Sequence, residues 1–237
     1  MDNPLVFIHG AGDSAHMWRL QLEQLQLEYQ AYAIDLPGHG DRPDTLAAEA
    51  AVQDYAQAVQ QVIVDELHLN RPIIVGHSLG GAIALTMALE YGSELSGLIL
   101  INTGARIRVH PNLLEAARTA PEQARLQLAD LSVAETTSPS ITQSVVKEQI
   151  QPDPNILYRD LMACNTFDCM TRLHEIALPT LIVCGSEDSA TPVKYSHYLH
   201  EHIAGSTLRI IPNAGHYAPR EQPETVNETI REWLRSH

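Results

Sequence analysis

The sequence predicts an α/β fold with a mainly parallel sheet of about six strands flanked by helices, and three observations carry that expectation. Short β-branched apolar runs alternate with helical patterns along most of the chain. The runs are bounded by Gly, Pro or Asn, and their continuous apolarity suits strands buried on both faces. One run, ending at Val75, leads through Gly76-His77-Ser78-Leu79-Gly80 into a helical pattern, a strand-turn-helix unit with little freedom in its interpretation.

In chain order, strands are expected at residues 5 to 8, 32 to 34, 72 to 75, 98 to 101, 180 to 183 and 208 to 211. Between them Val52, Tyr55, Val59, Val62, Ile63 and Leu67 recur at helical spacing, as do Val226, Ile230 and Trp233. A further helix is expected over residues 82 to 91. Residues 104 to 176 contain no strand run. They hold helix-like pieces opened by Pro or Ser, at 111 to 119, 121 to 131, 140 to 150 and 154 to 163. A segment that long is not a plain loop. The expectation is a core domain of residues 1–103 and 177–237 with a helical cap, residues 104–176, standing over one edge of the sheet.

Composition limits the function. A chain of 237 residues, 44% hydrophobic and 19% charged, can bury a full core without staples. Fifteen Lys and Arg against 29 Asp and Glu leave a formal charge of −14, with the basic residues dispersed. That balance argues against nucleic acid and against an anionic membrane surface as partners. No run approaches the roughly 18 apolar residues of a spanning helix, and the opening MDNPLVFIHG lacks the features of a signal peptide. Cys164, Cys169 and Cys184 form no CxxC pair, so reduced thiols without a metal or redox role and a cytoplasmic location are expected.

The chemistry starts at Ser78. A G-x-S-x-G turn between strand and helix holds its serine in strained backbone, and the flanking glycines leave space where a Cβ would clash. The turn lifts the hydroxyl clear of the sheet at a helix N-terminus, the position of a nucleophile. Such a hydroxyl needs a base, and the base an orienting acid. Of twelve histidines, His216 lies in a loop just past the sixth strand, at the same carboxyl edge as Ser78. His77 should point away from the nucleophile, and His9 should brace the loop after the first strand. His197, His200 and His202 read as a solvated helix face. Asp188 follows the fifth strand at the spacing expected of the acid, ahead of its neighbour Glu187; Asn102, ending the fourth, lacks the charge. Backbone donors for an oxyanion are expected from the Leu79 N–H and from the Ala11 N–H in His9-Gly10-Ala11-Gly12. That loop lacks the Lys and spacing of a P-loop.

These motifs, together with Asp35-Leu36-Pro37-Gly38-His39-Gly40, closely resemble the α/β-hydrolase superfamily nearly end to end. Within it the chain is similar to small capped carboxylesterases, enol-lactonases and carbon–carbon bond hydrolases. The resemblance implies a lid at residues 104–176 that shapes the acyl pocket. Asp41 stands where relatives often carry Ser. The chain also opens almost directly on the first core strand, where relatives usually place two antiparallel strands. That edge is therefore expected to be uncovered, a route to a homodimer.

The expected function is a serine hydrolase of small carboxylic esters, with Ser78, Asp188 and His216 as triad and no metal or cofactor. The alternatives are a C–C hydrolase, an enol-lactonase or a menaquinone-pathway lyase, all acting on carboxylates, and a triad-bearing small-molecule receptor. Seven cations in the segment discriminate among them: Arg106, Arg108, Arg118, Arg125, Lys147, Arg159 and Arg172. Two or more aimed into the cleft favour a carboxylate substrate; all facing solvent favour a neutral ester.

Overall fold

Strands that are apolar on both faces require cover on both faces, and the computed structural model, which describes residues 3–148, 153 and 155–237, supplies it. The strands are β1 (Leu5–Ile8), β2 (Ala31–Ile34), β3 (Ile73–His77), β4 (Gly97–Ile101), β5 (Thr180–Gly185) and β6 (Thr207–Ile211). They form one parallel sheet in the order β2-β1-β3-β4-β5-β6. Among the described residues β2 and β6 are its edges. The helices are α1 (Arg19–Leu25), α2 (Val52–Gln61), α3 (Leu79–Tyr91), α4 (Pro111–Thr119), α5 (Pro121–Ser132), α6 (Pro139–Glu148), α7 (Asn155–Thr166), α8 (Val193–His202), α9 (Ala218–Glu221) and α10 (Pro223–Leu234).

Alternation along the strands builds two cores. Leu5 and Phe7 of β1 face Trp18, Ile230 and Trp233, on the side of α1 and α10. Val6 and Ile8 face Tyr55, Leu79 and Ile83, on the side of α2 and α3. Helix α3 is apolar around its whole circumference and buried from Leu79 to Ala88, as its place against the sheet requires.

Most elements fall where the sequence placed them, and the differences have local causes. Strand β3 starts one residue later and runs on to His77, because Gly76 and His77 still pair with Leu100 and Ile101. Helix α3 begins at Leu79, directly after the turn, rather than at residue 82. Among the described residues, the four α-helices α4 to α7 lie between β4 and β5, and an isolated bridge joins Arg106 to Asp168. Helix α6 is described to residue 148, so the expected end at 150 lies outside the described residues, as does the expected start of the next helix at 154. No described helix is long and apolar enough to cross a membrane.

The strand order reverses beside β1: β2 lies on one side and β3 on the other. Crevices at such a switch point are where open α/β sheets bind ligands. Ile8 is in register with Gly76, so the loops leaving β1 and β3 emerge abreast. Backbone closeness is extreme here. A Cβ on Gly80 would stand 2.3 Å from the Ile8 carbonyl oxygen, and one on Gly76 would stand 2.2 Å from that of Gly80. Neither neighbour is a side chain that could swing aside. Gly80→Ala should therefore destabilise the protein by about 3 kcal/mol, read as a lowered midpoint in urea unfolding.

Candidate active site

Ser78 has φ +53° and ψ −115°, the strained turn expected of it, with its N–H donating to the Ile101 carbonyl at 3.1 Å. The side chain stands at the N-terminus of α3. His216 Nε2 lies 2.9 Å from Ser78 Oγ. Its Nδ1 lies 3.0 Å from Asp188 Oδ2 and 3.1 Å from Oδ1. A carboxylate only accepts, so the imidazole proton is on Nδ1 and Nε2 is left to accept from the serine hydroxyl. Asp188 and His216 are each 5% exposed, so little water competes for these bonds.

The loops that carry Asp188 and His216 meet backbone to backbone: a Cβ on Gly185 would stand 2.2 Å from the Gly215 carbonyl oxygen. Burial pushes the Asp188 carboxyl up. The His216 ring and the hydrogen bonds from His216, Asn102 and the Thr191 N–H outweigh it and hold it at about 2. A carboxylate held below its ordinary 3.8 stabilises the fold above that pH and loses the contribution as pH falls through about 2. The lowering corresponds to roughly 2 kcal/mol. The urea midpoint of the wild type should therefore fall between pH 5 and 2 more steeply than that of Asp188→Asn.

Three residues not picked out by sequence build this arrangement. Asn102, set aside for lacking charge, donates Nδ2–H to Asp188 Oδ2 at 2.7 Å and to the Gly215 carbonyl at 3.2 Å. Thr191 donates its hydroxyl to Asp188 Oδ2 and its N–H to Oδ1, both at 2.8 Å. Glu221 accepts the Gly215 N–H at 3.0 Å and the Ala134 N–H at 2.8 Å, joining the His216 loop to the segment after α5. None has a motif of its own; each is found only once distant loops are brought together.

His77, next to the serine, donates Nε2–H to the His216 carbonyl at 2.7 Å. Burial, with His216 nearby, pushes its pKa down to about 3, so it is a neutral strut beneath the His216 loop. His9 accepts the Leu36 N–H on Nε2 at 3.0 Å and donates Nδ1–H to the Gly10 carbonyl at 2.8 Å, bracing its loop. His197, His200 and His202 are exposed on α8. No group of three His, Cys, Asp or Glu side chains placed to hold a metal occurs among the described residues. The three cysteines are buried, and burial pushes the Cys169 and Cys184 thiols up to about 12.

Ser78 and His216 open on a cleft of about 180 Å³ whose walls include Ala11, Leu113, Leu128, Leu161 and Tyr217. An apolar cavity of about 150 Å³ holds a benzene-sized molecule, so the cleft suits one small group. No described backbone carbonyl takes the Ala11 or Leu79 N–H, and Ala11 borders the cleft. Of the seven cations, Arg108 alone borders it, and carbonyls of Ile107, Asn165 and Phe167 take its guanidinium. Arg106 pairs with Asp168, Arg118 with Glu115, Arg125 with Glu122, Arg159 with Asp44 and Arg172 with Glu90 and Glu175, while Lys147 is exposed.

Comparison with known proteins agrees with this architecture. The sequence model of the Alpha/beta hydrolase family matches residues 5–229. RutD of Shigella flexneri, whose name describes a carbamate hydrolase, is 29% identical over 98% of this chain and 91% of its own length. A solved thermophilic esterase is 31% identical with a TM-score of 0.87, covering 98% of this chain and 89% of the esterase. A second, from Thermogutta terrifontis, is 26% identical with a TM-score of 0.89, covering 99% of this chain and 90% of the other.

Proposed function

The chain belongs to the alpha/beta hydrolase family, and from that premise we propose that it is a serine hydrolase of small carboxylic esters. The observation that carries the reading is the hydrogen-bonded series Ser78–His216–Asp188 opening on a small apolar cleft. Ser78 Oγ attacks the ester carbonyl while His216 Nε2 takes its proton, and Asp188 stabilises the imidazolium. The Ala11 and Leu79 N–H groups receive the oxyanion. His216 then protonates the departing alkoxide, leaving an acyl group on Ser78. Water, deprotonated by the same histidine, releases the acid and restores the serine. Residues 104–176 act as the cap, with α4, α5 and α7 supplying the apolar wall.

The charge distribution supports a neutral substrate. A carboxylate in the cleft would meet one guanidinium, already hydrogen-bonded to three carbonyls, and no second Lys or Arg among the described residues. The similarity to RutD favours a second substrate, a small neutral carbamate, which the same series of groups can cleave through a carbamoyl-serine.

Hydrolysis of p-nitrophenyl acetate, butyrate and octanoate, beside a small O-aryl carbamate, tests the proposal. Acetate or butyrate should exceed octanoate by at least about tenfold in kcat/KM, since each misplaced methylene group costs roughly 1 kcal/mol or more. Leu113→Ala, which widens the cleft wall, should narrow that ratio. Turnover indifferent to Ser78→Ala would overturn the reading, and dominance of the carbamate would move the substrate assignment.

A further inference from the structure

We propose that Asp160, on α7, is a positioning residue for the hydrolysis, fixing the loop that presents the Ala11 N–H so that the seating of α7 sets the oxyanion hole. This inference rests on the serine-hydrolase reading.

Asp160 has no exposed surface. Its Oδ2 accepts the Gly12 N–H at 2.8 Å and His39 Nε2–H at 2.8 Å, and its Oδ1 accepts the Tyr55 hydroxyl at 2.5 Å. The other nitrogen of His39 lies 3.1 Å from the Pro37 carbonyl, an obligate acceptor. Both ring nitrogens therefore donate, and His39 is an imidazolium. Burial alone would draw its pKa down, but Asp160 beside it holds it above the ordinary value. The His39 imidazolium neutralises the buried carboxylate. The added backbone N–H, 148 residues away in sequence, belongs to the catalytic loop.

Geometry explains what that bond does. The Gly10–Ala11 peptide contains both the Gly10 carbonyl and the Ala11 N–H, which point in opposite directions in a trans peptide. His9 holds that carbonyl, and its tautomer is set by the Leu36 N–H, so the Ala11 N–H is turned away from His9. Asp160 holds the next peptide, Ala11–Gly12, by its N–H. With the peptides on both sides of the Ala11 Cα held, neither of its backbone torsions can drift. Helix α7 also closes over the loop: Leu157 Cδ1 lies 2.8 Å from where a Gly12 Cβ would stand, at φ +65°. The adjoining turn at Gly38 meets Ile156 Cδ1 in the same way, at 2.7 Å. Arg159, bound to Asp44, Tyr55 and the Pro37 carbonyl, fastens the helix there.

The test compares Asp160→Asn with Tyr55→Phe in Ser78-dependent ester hydrolysis. The asparagine keeps the volume but cannot accept all three hydrogen bonds. It should lower kcat about 10- to 100-fold, with KM within about twofold, since a slightly misplaced donor forfeits much of its effect. Affinity for a boronic acid that forms a tetrahedral adduct should fall by a similar factor. Tyr55→Phe weakens the same network without touching Gly12 and should lower the unfolding midpoint while kcat stays within about twofold. Asp160→Glu, which keeps the charge facing His39 but displaces the carboxylate, should lower kcat in the same direction. Wild-type kcat and boronate affinity in a folded Asp160 variant, or an equal kcat loss in Tyr55→Phe, would overturn the proposal. If the Asp160 variants do not fold, amide hydrogen exchange of the wild type decides: the Gly12 N–H should exchange as slowly as strand amides, and loop-like exchange overturns the assignment. Loss of the Ser78 dependence itself would instead sink the serine-hydrolase reading.

Discussion

Ser78→Ala should reduce kcat for a p-nitrophenyl ester by about 10⁶-fold while leaving the unfolding midpoint close to that of the wild type. The size follows from the alignment of His216 Nε2 on Ser78 Oγ at 2.9 Å, the contact through which this hydroxyl would be deprotonated. The fold should tolerate the change because the strained turn is held by backbone bonds, Ser78 N–H to Ile101 and the Ser78 carbonyl to Gly81 N–H and the Thr103 hydroxyl, all of which alanine keeps. His216→Ala should cost a similar factor, and the double variant little more, since the two groups act as a unit. Additive losses would mean that they act separately.

Asp188→Asn should reduce kcat by about 10⁴-fold, less than loss of the serine but with a distinct cause. The side chain stays in a pocket that supplies Asn102 Nδ2–H, Thr191 Oγ1–H and Thr191 N–H, all donors. An asparagine there turns its carbonyl oxygen toward those donors and its amide toward His216 Nδ1. That presentation favours the tautomer with the proton on Nε2, which cannot accept from Ser78. The remaining activity should rise with pH as solvent hydroxide replaces the absent base. A variant that retained wild-type kcat would show that Asp188 only caps its loop.

The fold and the Ser78, His216 and Asp188 geometry were legible for physical reasons. A doubly buried strand has to be apolar throughout, and a strand-to-helix turn of this sharpness has to have glycine at positions 76 and 80, where the clearances are 2.2 and 2.3 Å. Such constraints leave their mark in local sequence. The supports of the site leave none. Asn102 has neither charge nor motif, and its use depends on β4 and β5 placing it beside Asp188. Asp160 sat in an amphipathic helix 148 residues from the loop it grips, and nothing at spacing 3 or 4 distinguishes it from a surface aspartate. Polar groups joined across a fold are specified by tertiary geometry, so periodicity cannot reveal them.

The most direct measurement is the mass of the protein after reaction with a fluorophosphonate, which phosphonylates an activated serine, followed by peptide mapping. A single adduct per chain on the peptide containing Ser78, lost in His216→Ala and blocked by a competing small ester, is the predicted result. An unmodified Ser78 in a protein that still turns over esters, or an adduct on another residue, would contradict the account.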